Sequence, residues 1–434
     1  MFSYLHLFIL LFAYRYLRLV VNLFAFCKTR PVPIPEAPSL TSQDVTVVIP
    51  SLEGDGPELW DTIRSILVTE PCEIILVTID AHLDRARMMV KSMATPRIRV
   101  LSVPHPNKRF QMVRAIPDIG TDITVFADDD VTWPRTLLPW MLAPLEDECC
   151  GGVGTNQRLR RSEAPTFRQR FWDFLGALYL ERRNFDCAAC MYMDGGVPCL
   201  SGRTVAYRTK ILRDDVFRYA FTHEEWLGQY QMNCDDDNFI TRWLVSHGKK
   251  IMFQYHKEAE VQTTLENNWR FLKQCLRWSR SNWRSNITSM FCEGYIWRQQ
   301  PWSTYAVHLT TITHYALPWD CFLLFLDWKC SDSWDRRSRG TFLGLLVLWM
   351  FISKFVKLLG HYVRYPGDFL LLPVSILFGW FHGLIKVYAM STLNVTAWGS
   401  REGADTDDAY RMVRVNQTER EVAAGIRAGE LYTQ

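Results

Sequence analysis

Long apolar runs gather at the two ends of the chain, whereas the middle alternates between apolar and polar stretches. Residues 4–26 form an apolar run long enough to cross a bilayer, which takes about 20 residues. Three further apolar blocks lie near the other end, at residues 301–328, 341–359 and 368–390. The pattern predicts a membrane anchor at 1–30 and a membrane region at 301–391, with a water-exposed domain between them.

Two arginines, Arg15 and Arg18, interrupt the first apolar run and leave two alternatives to an anchor. One is a secretory signal, but no small-residue cleavage site follows the run. The other is a helix that lies in the membrane interface. Because Lys28 and Arg30 place positive charge at the end of the run, and such ends prefer the cytosol, we expect an anchor. A Pro-rich polar linker follows at 31–43.

The basic loop 329–339 constrains how the last apolar blocks cross the membrane, because basic loops prefer the cytosol. We therefore expect the block 301–328 to enter the membrane and return, with a break near Pro318. The two blocks that follow would cross out and back. This arrangement leaves the middle domain and the tail at 392–434 in the cytosol, in a multi-pass protein of the plasma membrane.

The middle of the chain has the pattern of an α/β domain. A helix is predicted at 59–68, and buried-type runs predict strands at 45–50, 73–79 and 122–127. Strands that alternate with helices predict a mostly parallel sheet, which we place within 44–266. Asp80 and Asp128 follow two of these strands, and in such sheets ligands bind at the carboxyl ends of the strands.

Two stretches are suited to the membrane surface. Residues 167–183 alternate apolar and charged positions at helical spacing, which predicts either an amphipathic helix on the membrane or an ordinary helix packed on the domain. Residues 267–300 are rich in Trp and Arg, which favour the bilayer interface, and we expect interfacial helices there.

Composition and charge exclude several classes of protein. Aromatic residues make up 14% of the chain, too many for a disordered protein. The formal net charge of +3 is too close to zero for bulk nucleic-acid binding. Twelve cysteines without regular spacing indicate reduced thiols. Cys187 and Cys190 form one CxxC, which indicates no zinc site without a second pair.

Two short charged motifs suit the binding of a diphosphate. Asp128, Asp129 and Asp130 directly follow a predicted strand, where two carboxylates can hold a hard divalent cation on two phosphates. The alternative to a cation site is a solvated acidic turn with no ligand. Lys108 and Arg109 can pair with the same diphosphate, or can be surface charge.

Two further motifs suit the transfer of a sugar. The acids Asp235 to Asp237 open a predicted helix, where mutual repulsion raises the proton affinity of at least one of them. A carboxylate so placed can act as general base on a sugar hydroxyl, although acids also simply stabilise helix N-termini. In QCLRW, Arg277 can contact a pyrophosphate and Trp278 offers a flat face to a sugar ring, unless both are interfacial anchors.

In their order and spacing these motifs resemble those of processive family 2 glycosyltransferases, and of hyaluronan synthases most closely. The resemblance rests on VVIP at 47–50, Asp80, NKRFQM at 107–112, DDD at 128–130, SGRTVAYR at 201–208, DDD at 235–237, QCLRW at 274–278 and WGSR at 398–401. It implies a GT-A type α/β domain docked on interfacial and transmembrane helices. Arg203 and Asn238 depart from the family pattern, which tends to carry Pro and Arg there.

The resemblance also implies a role for each matching residue. The donor would be bound by Asp80 at the uridine, Lys108 at the diphosphate, Asp128 near the nucleotide, and Gln274, Arg277 and Trp278 as the floor under diphosphate and acceptor. Asp130, with Asp128, would hold Mg²⁺ or Mn²⁺. Asp237 would be the general base, preceded by Asp236 in the acidic pair. The remaining matches would be Ser201 and Gly202 at the acceptor, and Trp398 and Arg401 in a loop that closes over the nucleotide.

By the same resemblance, the chain is expected to be an inverting enzyme that polymerises sugars from UDP-sugar donors into a β-linked extracellular polysaccharide and exports it. The growing glycan would be its acceptor and membrane lipids its surroundings. A lipid transferase of the ceramide glucosyltransferase type is the alternative, because it shares the DxD, the acidic base and QxxRW. A non-enzymatic scaffold is a third. The WGSR and SGRTVAYR segments favour the polymerase and leave the sugar and the oligomeric state open.

Overall fold

The fold is built on short strands in three sheets, in a computed structural model that describes residues 4–163 and 165–396. The strands are β1 (Val45–Pro50), β2 (Glu73–Ile79), β3 (Ile98–Val103), β4 (Ile123–Ala127), β5 (Val131–Thr132), β6 (Cys150–Thr155), β7 (Gln157–Leu159), β8 (Thr204–Arg208), β9 (Glu225–Trp226), β10 (Tyr230–Gln231), β11 (Lys250–Gln254) and β12 (Val261–Thr263).

Seven of these strands form the central sheet, in the order β11-β6-β8-β4-β1-β2-β3. The strand β1 lies parallel to β2 and β4, and β8 runs antiparallel to its neighbours β4 and β6. The mostly parallel sheet predicted from the sequence is therefore confirmed. The predicted strands correspond to β1, β2 and β4, and the helix predicted at 59–68 spans Pro57–Leu67.

The central sheet is buried on both faces. All six residues of β1 are buried. Val45, Val47 and Ile49 pack into an apolar cluster on one face, and Val48 packs into a second cluster on the other. Successive side chains of a strand point to opposite faces, so a strand covered on both faces is apolar throughout.

Helices cover both faces of the sheet and form the candidate membrane spans. They are α1 (Tyr4–Lys28), α2 (Pro57–Leu67), α3 (Leu83–Ser92), α4 (Lys108–Ala115), α5 (Leu137–Leu142), α6 (Phe167–Asp194), α7 (Thr209–Leu212), α8 (Asp215–Thr222), α9 (Asp236–Ser246), α10 (Arg270–Ile287), α11 (Ile296–Gln299), α12 (Pro301–Ser303), α13 (Thr310–Thr313), α14 (Ala316–Cys330), α15 (Arg336–Phe355), α16 (Leu359–Arg364) and α17 (Leu372–Met390).

Three helical stretches of the described chain are long and apolar enough to cross a membrane. They are Tyr4–Lys28, Arg336–Arg364 and Pro366–Met390, which coincide with the predicted anchor and the last two apolar blocks. The helix α1 packs on α6, and α17 packs on α10. The helices α6 and α10 therefore join the sheet domain to the candidate spans.

The block 301–328 is divided near Pro318, as the sequence predicted, and the break lies a few residues before the proline. His314 and Tyr315 have extended backbone and separate α13 from α14, which begins at Ala316. Pro318 lies in the first turn of α14, where a missing N–H leaves no helical hydrogen bond unmade. The helix therefore starts just before the proline instead of breaking at it.

The helix predicted at 167–183 extends further, over the whole of α6. Thr166 and Gln169 form a capping box at its start, and Gly195 ends it with φ +70°. Cys187 and Cys190 are buried in this helix. All twelve cysteines are unpaired.

Candidate active site

A polar cleft of about 690 Å³ lies at the carboxyl ends of β1 and β4. Pro50 ends β1 and Asp128 follows β4, so both strands deliver their last residues to the cleft. This is where an open α/β sheet binds its ligands. The helices α4 and α10 complete the lining. Of the predicted residues, the cleft brings together Lys108, Asp128, Asp130, Gln274 and Arg277.

The acids Asp128, Asp129 and Asp130 all line the cleft, and neighbouring hydroxyl groups orient two of them. Ser51 Oγ donates to Asp129 Oδ2 at 2.8 Å. Thr264 Oγ1 donates to Asp130 Oδ2 at 3.1 Å. The acidic turn after β4 is therefore a part of the cleft wall rather than a solvated loop.

Lys108 joins the two acidic runs. Its Nζ lies 2.8 Å from Asp128 Oδ1 and 3.1 Å from Asp236 Oδ2. Burial alone would lower the pKa of Lys108, but the carboxylates of Asp128, Asp236 and Asp237 outweigh burial and raise the pKa. The side chain therefore stays charged in the cleft, where an ammonium group suits a diphosphate.

The pair Asp236 and Asp237 forms the first turn of α9 and faces the loop before β8. The N–H of Gly202 donates to Asp237 Oδ2 at 3.2 Å, and the N–H of Asn238 donates to Asp237 Oδ1 at 2.9 Å. A Cβ on Gly202 would lie 3.1 Å from Asp236 Oδ2 and 3.3 Å from Lys108 Nζ, so a larger residue would require these side chains to shift. The pKa of Asp236 is raised, mainly by burial. The charge of Lys108 opposes this shift, and the charge of Asp237 adds to it.

The sequence did not reveal a buried network beneath this pair. Asp235 has φ +66°, and its Oδ2 accepts from Arg284 Nη2 at 2.8 Å and Nε at 3.1 Å. The side chains of Arg284 and Asp235 are only 3% and 5% exposed. Arg284 also donates to the carbonyls of Leu393 and Val395, both at 3.2 Å. It thereby ties the acidic run to the segment that leads toward 398–401.

Arg109 does not face the cleft, so its predicted pairing with a diphosphate is wrong. It is 1% exposed, and its guanidinium donates to Glu224 Oε2 at 2.6 Å and to the carbonyl of Cys234 at 2.8 Å. Successive side chains of a helix point in different directions, and here Lys108 takes the cleft side. Arg109 instead supports the loop that precedes Asp235.

Trp278 lies between two side chains that line different cavities, although Trp278 itself is not among the residues that line either of them. The Arg203 guanidinium lies over its indole at 5.3 Å, and the Tyr179 ring packs 4.7 Å from it. Arg203 lines the cleft, whereas Tyr179 lines a second cavity, of about 460 Å³. In the cleft, the buried Gln274 Oε1 has no hydrogen-bond partner among the described residues, which indicates a place for a donating ligand group.

The lining of the cleft does not include the predicted residues Ser201, Gly202, Asp236, Asp237 and Trp278. Asp236 is linked to the cleft through its ion pair with Lys108. Ser201 is buried next to Gly202, in the same loop. Asp80 lies in the exposed turn Asp80–His82 after β2, and is not among the residues that line the cleft. Trp398 and Arg401 lie outside the described residues.

The donor set of the cleft fits a divalent cation that binds together with a phosphate ligand. Among the described residues, no group of three or more His, Cys, Asp or Glu side chains forms a complete metal cage. Mg²⁺ usually binds through one or two carboxylates plus substrate phosphates, and keeps several waters. Asp128 and Asp130 offer such hard oxygen ligands at the cleft, which also suit Mn²⁺.

Known proteins are similar to this chain in sequence. The sequence profile of the glycosyltransferase-like family 2 matches residues 42–281. A type 2 glycosyltransferase of Zymoseptoria tritici is 54% identical over 93% of this chain and 85% of its own length. A hyaluronan synthase of Streptococcus pyogenes is 23% identical over 82% of this chain and 83% of its own.

Among solved structures, glucosyl-3-phosphoglycerate synthase of Mycobacterium tuberculosis aligns with 59% of this chain and 86% of its own, at 18% identity and a TM-score of 0.33. The family match covers more than half of the chain and includes both acidic runs and Arg277. The chain therefore belongs to the glycosyltransferase-like family 2.

Proposed function

We propose that this family 2 glycosyltransferase is an inverting, processive enzyme that polymerises sugars from UDP-sugar donors into a β-linked polysaccharide and exports it. The observation that carries the proposal is the second cavity behind Trp278, between the catalytic domain and the candidate spans. A transferase that adds one sugar needs only the cleft, whereas a polymerase also needs a path for its product. The similarity to a hyaluronan synthase over most of the chain supports the same reading.

The donor would lie in the cleft, with its diphosphate near Lys108 and Arg277 and its uridine toward Asp80. Lys108 remains charged between two carboxylates and can offer a further N–H to a phosphate oxygen. Asp128 and Asp130 would hold Mg²⁺ or Mn²⁺. The bound cation would neutralise charge on the departing diphosphate.

Asp237 is the residue we assign as general base. Its two oxygens each accept one backbone N–H, which orients the carboxylate and leaves lone pairs for an acceptor hydroxyl. Asp237 would take the hydroxyl proton as the oxygen attacks the anomeric carbon. The new C–O bond forms as the bond to the diphosphate breaks, and UDP leaves with that electron pair. One displacement inverts the configuration, from an α-linked donor to a β-linked product.

The acceptor sugar would stack on Trp278, beside Ser201 and Gly202, with the earlier sugars in the second cavity. Trp398 and Arg401 would close over the nucleotide. The three candidate spans support a membrane protein, which we place in the plasma membrane. The basic loop 329–339, between α14 and α15, supports a catalytic domain that faces the cytosol. The side-chain N–H of Gln274 would donate to the donor diphosphate, and its Oε1 would accept from a sugar hydroxyl.

The test is UDP release by the purified full chain in lipid nanodiscs, with a panel of UDP-sugars and Mg²⁺ or Mn²⁺. The product is sized on a gel, and Asp237→Asn serves as the inactive variant. We expect release that requires both the cation and Asp237, and a product of high mass. A single small glycolipid would assign the chain to the lipid transferases, and a folded protein that uses no donor would contradict the proposal.

A further inference from the structure

One part of the cleft is formed where the start of α6 packs on the start of α10. The rings of Trp172 and Phe271, from these two helices, lie 6.3 Å apart. Asp173 lines the cleft from α6, and Gln274 lines it from α10. Both side chains bring acceptor oxygens to the cleft, and neither the acidic turn after β4 nor the acidic pair of α9 includes Asp173.

Asp173 is a buried carboxyl group with few hydrogen-bond donors. It is 4% exposed, and its one partner within the described chain is the backbone N–H of Ser162, 3.5 Å from Oδ2. Burial raises the pKa of Asp173, because the charged form of the group is only partly compensated. A carboxylate can accept about four hydrogen bonds, and buried polar groups are nearly always satisfied. Asp173 therefore has capacity for donors that a ligand could fill.

Gln274 adds a second acceptor to the same cleft. Its buried Oε1 has no partner among the residues that the structure describes. Such an oxygen requires an N–H or O–H group, which a sugar hydroxyl or an amide supplies and an ionised carboxylate does not. The two side chains together thus demand hydrogen-bond donors from whatever binds beside them.

The cation whose charge acts on Asp173 is already held by another carboxylate. Arg161 opposes the raised pKa of Asp173, but its Nη1 lies 2.8 Å from Asp368 Oδ2 and its guanidinium lies over the Tyr365 ring at 4.6 Å. Asp368 is buried, so drawing Arg161 away from it is costly. An anionic group placed at Asp173 would meet a like charge and would compete with Asp368 for Arg161.

We infer that Asp173 is a specificity-determining residue that selects donors with a neutral sugar. It would accept hydrogen bonds from hydroxyl or amide groups of the transferred sugar and disfavour a uronic acid. The inference rests on the proposed function, because it names the class of sugar that this function would use. Gln274 precedes Arg277 by one turn of α10, so a donor with its diphosphate at Arg277 would bring its sugar to the side of the cleft that Gln274 and Asp173 line.

The test compares two donors that differ only at C6 of the sugar. UDP-glucose carries a hydroxymethyl group there, and UDP-glucuronate carries a carboxylate. Calorimetry on the full chain in phosphatidylcholine nanodiscs, with Mn²⁺ and without acceptor, gives the dissociation constant of each. We expect UDP-glucose to bind about tenfold more tightly, because the uronate adds repulsion and leaves an acceptor unfilled. Equal binding, or tighter binding of UDP-glucuronate, would overturn the inference.

Two variants locate the preference. Asp173→Asn removes the buried charge and supplies an N–H group that a carboxylate can accept, whereas Glu163→Gln removes an exposed charge that lines the same cleft. We expect Asp173→Asn to reduce the preference for UDP-glucose about fivefold, mainly through tighter binding of UDP-glucuronate. Glu163→Gln should leave the preference unchanged. Equal effects of the two variants, or no effect of Asp173→Asn, would show that Asp173 does not select the sugar.

Binding of UDP alone distinguishes recognition of the sugar from damage to the fold. Because UDP has no sugar beyond its diphosphate, Asp173→Asn should bind UDP and Mn²⁺ as tightly as the unchanged protein does. If Asp173→Asn weakens UDP as much as UDP-glucose, Asp173 has a structural role and the inference is wrong. An unchanged protein that binds UDP but not UDP-glucose would also overturn it.

The outcomes separate this inference from the proposed function. A chain that builds a polymer from a uronate donor alone keeps the function and contradicts the inference. A chain that prefers UDP-glucose through Asp173 but transfers a single sugar to a lipid contradicts the proposed polymerase and keeps the inference.

Discussion

The cleft and the second cavity, on the two sides of Trp278, differ in the sign of their charge. Among the described residues, eight carboxylates and five cations line the cleft, whereas seven cations and one carboxylate line the cavity. A cleft rich in carboxylates attracts a divalent cation and, through it, a phosphate. A cavity rich in cations attracts an anion directly. Trp278 and its neighbours can therefore separate the site that would bind the donor from the path that the product would take.

The two regions also differ in how the chain builds them. The cleft is formed where strands of one sheet end, so short motifs deliver its residues together. The cavity is assembled from helices at both ends of the chain, with Arg15 on α1 and Lys386 on α17. Arg15 and Lys386, within candidate spans, therefore line the cavity, whereas the acids that follow β4 line the cleft.

The largest expected effect concerns the chemistry of the cleft side. Asp237→Asn should lower the rate of UDP release about 1000-fold, because an amide cannot accept the acceptor proton. Asp84→Asn, on the exposed first turn of α3, is the matched control and should release UDP at the normal rate. Near-normal activity of Asp237→Asn would remove that residue from the role of base.

The sequence predicted the cleft well because its chemistry is local. The strands β1 and β2 have the predicted bounds, and each acidic run stands next to the element that positions it. Lys108 and Arg109 show the limit of prediction from sequence, because the sequence of two neighbouring cations does not reveal which side chain faces the cleft. Only the packing of α4 decides it.

The sequence did not predict the cavity because its residues meet only in three dimensions. Arg15 and Arg18 stood out as imperfections of a membrane span, and nothing near them in the chain pointed to α6 or α17. Arg284 was likewise hidden, although its partner Asp235 lies in a predicted motif. Contacts between residues far apart in the chain leave no short pattern to recognise.

The second prediction concerns the buried ion pair of Arg284 and Asp235, which lies beneath the acidic pair and lines neither cavity. Arg284→Ala should lower the free energy of unfolding by about 3 to 5 kcal/mol, because Asp235 would remain charged and buried without its partner. The shift in thermal midpoint of the purified protein measures it. Adding Asp235→Asn should recover part of the loss. Arg280 lies one turn earlier and donates to Thr392 Oγ1 at 2.9 Å, so Arg280→Gln is the control and should lower the free energy of unfolding far less. An equal loss in the two variants would contradict the special role of the pair of Arg284 and Asp235.

A third, smaller effect tests how tightly the cleft is built around its acids. Gly202→Ala places a methyl group 3.1 Å from Asp236 Oδ2 and 3.3 Å from Lys108 Nζ, so these groups must shift. We expect kcat for UDP release to fall about tenfold, since small displacements of a positioned base are costly to catalysis. Gly120→Ala, which meets no atom within 4 Å, is the control. Equal activity of the two variants would show that the loop yields without disturbing the acids.

The smallest effect probes the place where the two regions meet. Cys199 lines the cavity, and the pKa of its thiol is raised well above the usual range, first by burial and then by the Asp237 carboxylate. Because the thiolate is the reactive form, a raised pKa slows alkylation at pH 8. Asp237→Asn removes the charge but not the burial, so it should lower this pKa only in part. We expect N-ethylmaleimide to modify Cys199 about threefold faster in that variant.

Peptide mass spectrometry follows Cys199 in both proteins, with the exposed Cys72 as the internal standard. Comparing one cysteine with itself removes differences in access through the cavity. The rate at Cys72 should not change, because that residue directly precedes β2, at the end of the strand opposite the cleft. If the rate at Cys199 also stays constant, the charge of Asp237 does not reach the cavity side. The acidic cleft and the cationic cavity would then be electrostatically separate, and the product would meet cations only after it had left the base.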